Sequence, residues 1–466
     1  MTTHSHRPST DTHTDTHTDH HTHHNTPMDT DPGIARLLRL AGSGDARGTL
    51  RALRGADDLP LPDVARIVGR LAHARDFGNL AEAADALASD AQDPRLLHDF
   101  GHACLDRGAA FLALRPLREA LRHAPGSSAV RTELVAALED EHRHTEAVEL
   151  LEAQEATLRP WPDRYLLAYN ALMAGDPDRA GSHFARLPVP DEPWRPAHHR
   201  LRAMLRRTLA LRAAATPHPL EPGPAPKAPA PLTATDLRGW HFALTGGILT
   251  TLSPYGYAVG MNGRYGLLQE DPGRVLHGLH RLRLVLARSR VRPRTVSLLP
   301  DRSSRILGLA AAGLLGLPAE PFDAARTDTV VIAHRLNGLD RDVLARLHRR
   351  TPGQVLFEHA TCWTRPPAVS ADISTLLGQL VVAPWDAQLH ATADGSTNGR
   401  PDDRPEQAVA DDLLRADPTP DPGDGDTPPD PDTELARFVT VARDAWLTGP
   451  RDHVPSPGPV SGSRFG

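Results

Sequence analysis

Val296-Ser-Leu-Leu-Pro-Asp-Arg-Ser-Ser-Arg-Ile306 reads as a strand, a short loop and the start of a helix, and it sets the class of the surrounding region. Around it lie four short, nearly continuous apolar runs: Thr295 to Leu299, Thr329 to Ala333, Gln354 to Phe357 and Gln379 to Ala383. The gaps between them carry helical patterns, Arg305 to Leu315, Arg341 to His348 and Ser370 to Leu377. Strand runs without polar alternation, separated by helices, predict parallel strands covered on both faces, an α/β domain over residues 234–390. Asp271-Pro272 predicts the cap and first position of a helix to about Arg290. Asn262-Gly263, between Tyr257-Ala258-Val259 and Tyr265-Gly266-Leu267, predicts a hairpin turn.

In open parallel sheets, ligands bind beyond the carboxyl ends of the strands, where helix amino termini present free N–H groups. Asp301, Arg302, Ser303 and Ser304 fall at such a place. They form either a site for a small anion, with Arg302 as a forked cation, or a plain helix cap with Arg302 in solvent. His334, Arg335 and Asn337 follow the next buried run at its carboxyl end; Glu358, His359 and Cys362 follow the one after. A Glu/His/Cys group suits metal binding or acid–base work, but neighbouring strand residues point to opposite sides and no metal-ligand spacing is present. Structural and functional roles both stay open for these residues.

The string Leu299 to Pro318, with its strand from Val296, resembles the strand-loop-helix of type I phosphoribosyltransferases, which bind pyrophosphate there. That family also carries paired acids before a Thr/Gly-rich loop. Here Val330-Val-Ile-Ala-His-Arg-Leu-Asn-Gly338 has His334 and Arg335 in place of acids, so the resemblance implies a degenerate, non-catalytic version.

From residue 32 to about 215 the apolar residues follow helical spacing, broken by Gly, Asp and Pro. With Pro94 opening a 34-residue unit, Leu97, Phe100, Gly101, Ala113, Leu117, Ala120 and Pro125 fall at regular positions. The next unit, from Ser128, places Leu134, Leu138, Ala147 and Leu151 in register, and a third, from about Trp161, places Leu167, Ala171, Ala180 and Phe184. Residues 94–192 thus resemble the tetratricopeptide repeat (TPR) family, which implies a solenoid of helical hairpins with a groove for a protein or peptide. Leu50 to Leu53 and Ala81 to Leu87 suggest degenerate units upstream, and Pro196 to Ala215 a closing helix.

The remaining segments are expected to stay outside any core. These are a His/Thr/Asp-rich tail over 1–31, a Pro-rich spacer over 216–233, an acidic Pro/Asp-rich stretch over 391–433 and a tail over 449–466, with a short amphipathic helix over 434–448. Lys227 is the sole lysine among 52 basic residues, so arginine content alone signals nothing. The partition of charge says more: 18 Arg against 12 acids over 234–390, then 13 acids against three Arg over 391–434. The basic helix Arg274 to Arg290 is therefore expected to meet residues 402–434 of the acidic stretch, with nucleic acid disfavoured for want of a reading motif.

Cys104 and Cys362 lie in segments that read as different domains, which leaves no disulfide framework and no zinc pattern. The apolar run Ile306 to Leu317 is shorter than the ~18 residues of a spanning helix, and no secretion signal is evident. The expectation is a cytoplasmic adaptor or scaffold that binds a protein or peptide in its helical groove, with an α/β domain that binds a small anionic ligand, and without cofactor, metal or membrane. The alternative is an enzyme or sensor of a nucleotide or phosphosugar.

Overall fold

The computed structural model describes residues 31–214, 232–392 and 395–462. The tail expected over 1–31, apart from Asp31, most of the spacer at 216–233 and the last four residues lie outside that range. The chain divides after Arg107 into two compact units.

The first unit is helical: α1 (Pro32–Gly42), α2 (Ala46–Arg54), α3 (Leu61–Ala74), α4 (Gly78–Ser89) and α5 (Pro94–Asp106). Asp31, Asp45 and Asp93 accept from the N–H groups of Gly33, Gly48 and Arg95 and so cap three of these helices, each worth about 1 kcal/mol. Ile67, Val68, Leu87, Leu97 and Phe100 are buried.

The second unit begins with six helices: α6 (Ala110–His123), α7 (Ser128–Asp140), α8 (His144–Glu152), α9 (Tyr165–Met173), α10 (Pro177–Phe184) and α11 (Arg195–Ala214). Ala113, Ala147 and Ala180 are fully buried, as small residues must be where helices cross closely. Leu117, Ala120, Leu134, Leu138, Leu151, Leu167 and Ala171 are buried with them; Phe184 is half-buried and stacks on His198, and Pro125 is exposed just after α6. Gly108, His142 and Gly175, which precede α6, α8 and α10, each have a left-handed backbone.

The α/β part follows without a break in compactness: α12 (Leu237–Thr245), β1 (Ile248–Leu249), β2 (Tyr265–Gln269), α13 (Pro272–Ser289), β3 (Thr295–Leu298), α14 (Arg302–Leu315), β4 (Ala319–Pro321), β5 (Thr329–Ala333), α15 (Arg341–His348), β6 (Val355–Thr361) and β7 (Ile373–Val382). These strands form one parallel seven-stranded sheet in the order β4-β3-β5-β6-β7, with β1 and β2 sharing the far edge of β7. A small antiparallel pair, β8 (Leu389–Thr392) and β9 (Gly395–Asn398), precedes α16 (Glu406–Arg415) and α17 (Asp432–Ala442).

Both faces of the sheet are covered, as the unalternating runs predict. Val330, Ile332 and Phe357 pack with Leu282 of α13, Ile306 of α14, Leu413 of α16 and Val439 of α17. Val331, Ala333 and Leu356 point the other way, against Leu347 of α15. Among the described residues no helix is long and apolar enough to cross a membrane.

The structure corrects five expectations. The helix expected over Ser370 to Leu377 does not form: Cys362 to Asp372 joins two parallel strands without a helix, and Ile373 to Leu377 is the first half of β7. Burial on both faces removes the polar alternation that would have marked this strand. Asn262 and Gly263 do adopt left-handed backbones, but β2 pairs in parallel with β7 and no hairpin forms.

The acidic stretch is not free of the core: Val409, Ala410 and Leu413 of α16 are buried. Its carboxylates neutralise arginines, with Asp430 on buried Arg238 at 2.8 Å and buried Arg281 at 2.7 Å, and Asp421 on half-buried Arg274 at 2.7 Å. The meeting of residues 402–434 with the basic helix is thus realised. The tail expected over 449–466 is likewise anchored: Arg451 is buried and holds Asp372 at 2.8 Å. Finally, the compact division falls inside the helical region and not at the Pro-rich segment, because Arg207 of α11 donates to the carbonyls of Ala243 and Leu244 in α12.

Candidate functional site

Three parallel strands, β2, β5 and β6, bring titratable side chains together near their carboxyl ends. Glu270 follows β2, His334 follows β5, and His359 lies in the last turn of the ladder of β6. His359 Nε2 lies 2.7 Å from Glu270 Oε1, and His334 Nε2 lies 3.6 Å from Glu270 Oε2. The two imidazoles stack at 5.6 Å between centroids, and Trp385 closes edge-on over His334 at 5.4 Å.

The group is sealed from solvent, with the Glu270 and His359 side chains fully buried and that of His334 4% exposed. Gly278 lets α13 approach this closely: a Cβ there would lie 2.7 Å from Thr375 and 3.1 Å from His359. Burial alone would raise the Glu270 carboxyl, but His359 and then His334 outweigh it and hold it down at about 2. Among the described residues, Glu270 Oε2, His334 Nε2, His359 Nδ1 and Thr375 Oγ1 find no hydrogen-bond partner. The arrangement stores a carboxylate between two buried imidazoles.

The residues expected at an anion site lie beside this group. Asp301 caps α14 by accepting from Ser304 N at 2.9 Å. Ser303 Oγ accepts from Trp385 Nε1 and Ser304 Oγ from His334 N, both at 2.9 Å. Arg302 donates to the carbonyls of Asp402 and Arg404 at 2.7 and 2.9 Å, and Arg335 to the carbonyl of Val381 at 3.0 Å. Ser303, Ser304 and His334 are therefore joined through Trp385, while Arg302 and Arg335 are spent on backbone carbonyls elsewhere. Asn337 donates to Arg365 O at 2.7 Å.

Glu358 and His359 do face opposite sides. Glu358 accepts from Leu336 N at 2.7 Å and from Thr361 Oγ1 at 2.5 Å, and its burial pushes the carboxyl up to about 7. Cys362 Sγ instead meets Thr364 Oγ1 at 3.5 Å and Gln379 O at 3.7 Å. Among the described residues no three His, Cys, Asp or Glu side chains are grouped to hold a metal.

Other hollows lie in the second unit. A narrow one of about 60 Å³ is lined by His241, Arg264, Cys362, Trp363 and Ser374. Burial, then Arg264, pushes His241 down to about 4, so its imidazole is neutral. A larger one, of about 310 Å³, opens between α11 and the chain after α17.

Sequence reasoning missed Glu270 and Trp385. Glu270 directly follows Tyr265 to Gln269, and reading that run as a parallel strand would have placed it at a carboxyl end. Neither a protein-family model nor a curated protein matches this chain.

Proposed function

We propose that the protein is a TPR-like adaptor whose helical region, α6 to α11, binds an extended proline-rich peptide, and that its own carboxyl-terminal segment occupies this place in the free chain. The recurrence of buried Ala113, Ala147 and Ala180, with left-handed turns at 108, 142 and 175, supports a repeated helical hairpin. The observation that carries the peptide reading is the course of His453-Val-Pro-Ser-Pro-Gly-Pro-Val-Ser-Gly462.

Ser456 Oγ lies 2.8 Å from His144 Nε2 on α8. The other imidazole nitrogen meets Asn170 Oδ1 of α9 at 2.8 Å, and Asn170 donates to Glu139 of α7 at 2.6 Å. Pro459 rests against Gly175, where a Cβ would come within 3.0 Å of it. On the opposite side Gly458 packs on Leu244 of α12, and Arg264 donates to the carbonyls of Val460 and Ser461 at 2.8 and 2.7 Å. An alternating proline segment loses little entropy on docking, which is why such segments recur as ligands of preformed grooves.

The enzyme or sensor reading, with an anion at Asp301 to Ser304, would require these residues to release the partners they hold. The geometry supports the adaptor better.

The test is a titration of labelled peptide 454–462 into a chain ending at His453, followed by fluorescence anisotropy. A tethered segment has an effective concentration of order millimolar, so a dissociation constant of about 100 μM in trans keeps it roughly 90% docked in cis. Saturable binding in that range or tighter, weakened by His144→Ala and absent from the full chain, is expected. No saturable binding to a truncated chain with native circular dichroism would refute the reading.

A further inference from the structure

The hollow of about 310 Å³ beside α11 is lined mainly by arginines. Arg200, Arg202, Arg206 and Arg207 line it, and among the described residues the one carboxylate in its walls is that of Asp452. That carboxylate is itself shared with His348 Nε2 at 3.1 Å. Arg200 hydrogen-bonds Tyr165. Among the described residues, no carboxylate pairs with Arg202, Arg206 or Arg207, whereas the buried Arg131, Arg238, Arg281 and Arg451 of the same unit each hold an aspartate.

Arg207 is the informative member. It is 6% exposed, and its guanidinium is fixed by two hydrogen bonds, at 3.0 Å to Ala243 O and 2.8 Å to Leu244 O. These carbonyls end α12 and supply only the partial negative charge of a helix carboxyl terminus, about half an electron. Burial, then Arg206 and Arg350, pushes this guanidinium down to about 9, the mark of a cation short of counter-charge. A buried charge is stable when paired, and here the pair is incomplete.

From the geometry of this hollow we infer that it binds a small organic anion bearing a pyrophosphate or two phosphates. Its volume is at the lower end of the ~300–1,000 Å³ of small-molecule sites. Exposed Arg202 and Arg206 stand at the rim with donors free for phosphate oxygens, Arg207 supplies the fixed floor, and Leu244 and Val454 provide an apolar wall for the organic part. This site lies apart from Asp301 to Ser304 and is independent of the peptide reading, although Val454 begins the segment that the peptide reading invokes.

The test is calorimetric titration of the full chain with inorganic pyrophosphate, with sulfate and a single-stranded oligonucleotide as controls at matched ionic strength. The variants are Arg202→Gln/Arg206→Gln, whose side chains are exposed and leave the fold intact, and Arg302→Gln, at the other anion candidate. Saturable pyrophosphate binding is expected, unchanged in Arg302→Gln and weakened at least about tenfold in the double variant, as loss of charge-assisted hydrogen bonds implies. Four results would overturn it: no saturable heat, equal affinity in the double variant, sulfate binding as tightly as pyrophosphate, or the oligonucleotide alone binding in an Arg206-dependent way.

Discussion

Replacing Asp430 by Asn removes one negative charge from between two buried guanidiniums. Arg238 Nη2 reaches both carboxylate oxygens at 2.8 Å, Arg281 Nη1 reaches one at 2.7 Å, and Leu252 N donates to the same oxygen at 3.1 Å. The side chains of Arg238, Arg281 and Asp430 are 9%, 3% and 12% exposed, so water screens them little. Asn keeps an acceptor for Leu252 but turns an amide donor toward a cation, leaves Arg238 without a carboxylate and leaves Arg281 only the exposed Asp432, at 3.2 Å.

Breaking a buried pair in this way costs about 3–5 kcal/mol. With an unfolding entropy of about 2.1 cal/mol/K per residue, a unit of this size loses roughly 5 °C in midpoint. Thermal unfolding followed by circular dichroism measures it. A shift below about 1 °C would refute the claim that the acidic stretch is anchored by this pair, since surface pairs contribute at most about 1 kcal/mol.

The same pair sets a pH window. Burial alone would raise the Asp430 carboxyl, but Arg238 and Arg281 hold it below the usual range. Its contribution is therefore complete above about pH 3.9, the unfolded value, and is lost as pH falls through the lower folded value. Asp430→Asn is expected to flatten that acid limb.

Other outcomes follow from the same geometry. Glu358 has the opposite sign: its folded value near 7 means that its contribution is complete below the unfolded value of about 4.3 and lost as pH rises toward 7. The difference in stability between the parent and Glu358→Gln should change by roughly 3 kcal/mol across that window, and a flat difference curve would contradict the assignment. Arg451→Met leaves buried Asp372 with Arg350 alone and should cost about 3–5 kcal/mol in urea unfolding; a cost under about 1 kcal/mol would show the segment after α17 to be loosely held. Cys104 and Cys362 are buried, and burial pushes the Cys104 thiol far up, so a thiol reagent should label neither in the native protein and both in denaturant.

What was legible in the sequence was whatever local patterning decides. Thr329–Ala333 and Arg341–His348 form as a run of buried β-branched residues and an amphipathic stretch should, and Asp271 caps α13 where Asp-Pro announced it. What was not legible depended on partners distant in the chain. The helical-looking Ser370 to Leu377 runs into β7, which is drawn into the sheet by β1, β2 and β6. Asp-rich composition hid α16, because its apolar residues Val409, Ala410 and Leu413 are few and the arginines that neutralise the neighbouring acids lie far upstream.

Around the candidate site, the rule that ligands gather at strand carboxyl ends located Ser303, Ser304, His334 and His359. It missed Glu270 because β2 was read as half of a hairpin. Nothing local could show that Arg302 would be held by the carbonyls of Asp402 and Arg404, about a hundred residues away.

The measurement that reaches the central claim most directly is hydrogen exchange by mass spectrometry on the full chain and on a chain ending at His453. If the carboxyl-terminal segment occupies the peptide site, its removal should speed exchange in α8, α9 and α12, and added peptide 454–462 should restore protection there. Exchange in those helices that is indifferent to both the truncation and the peptide would contradict the account.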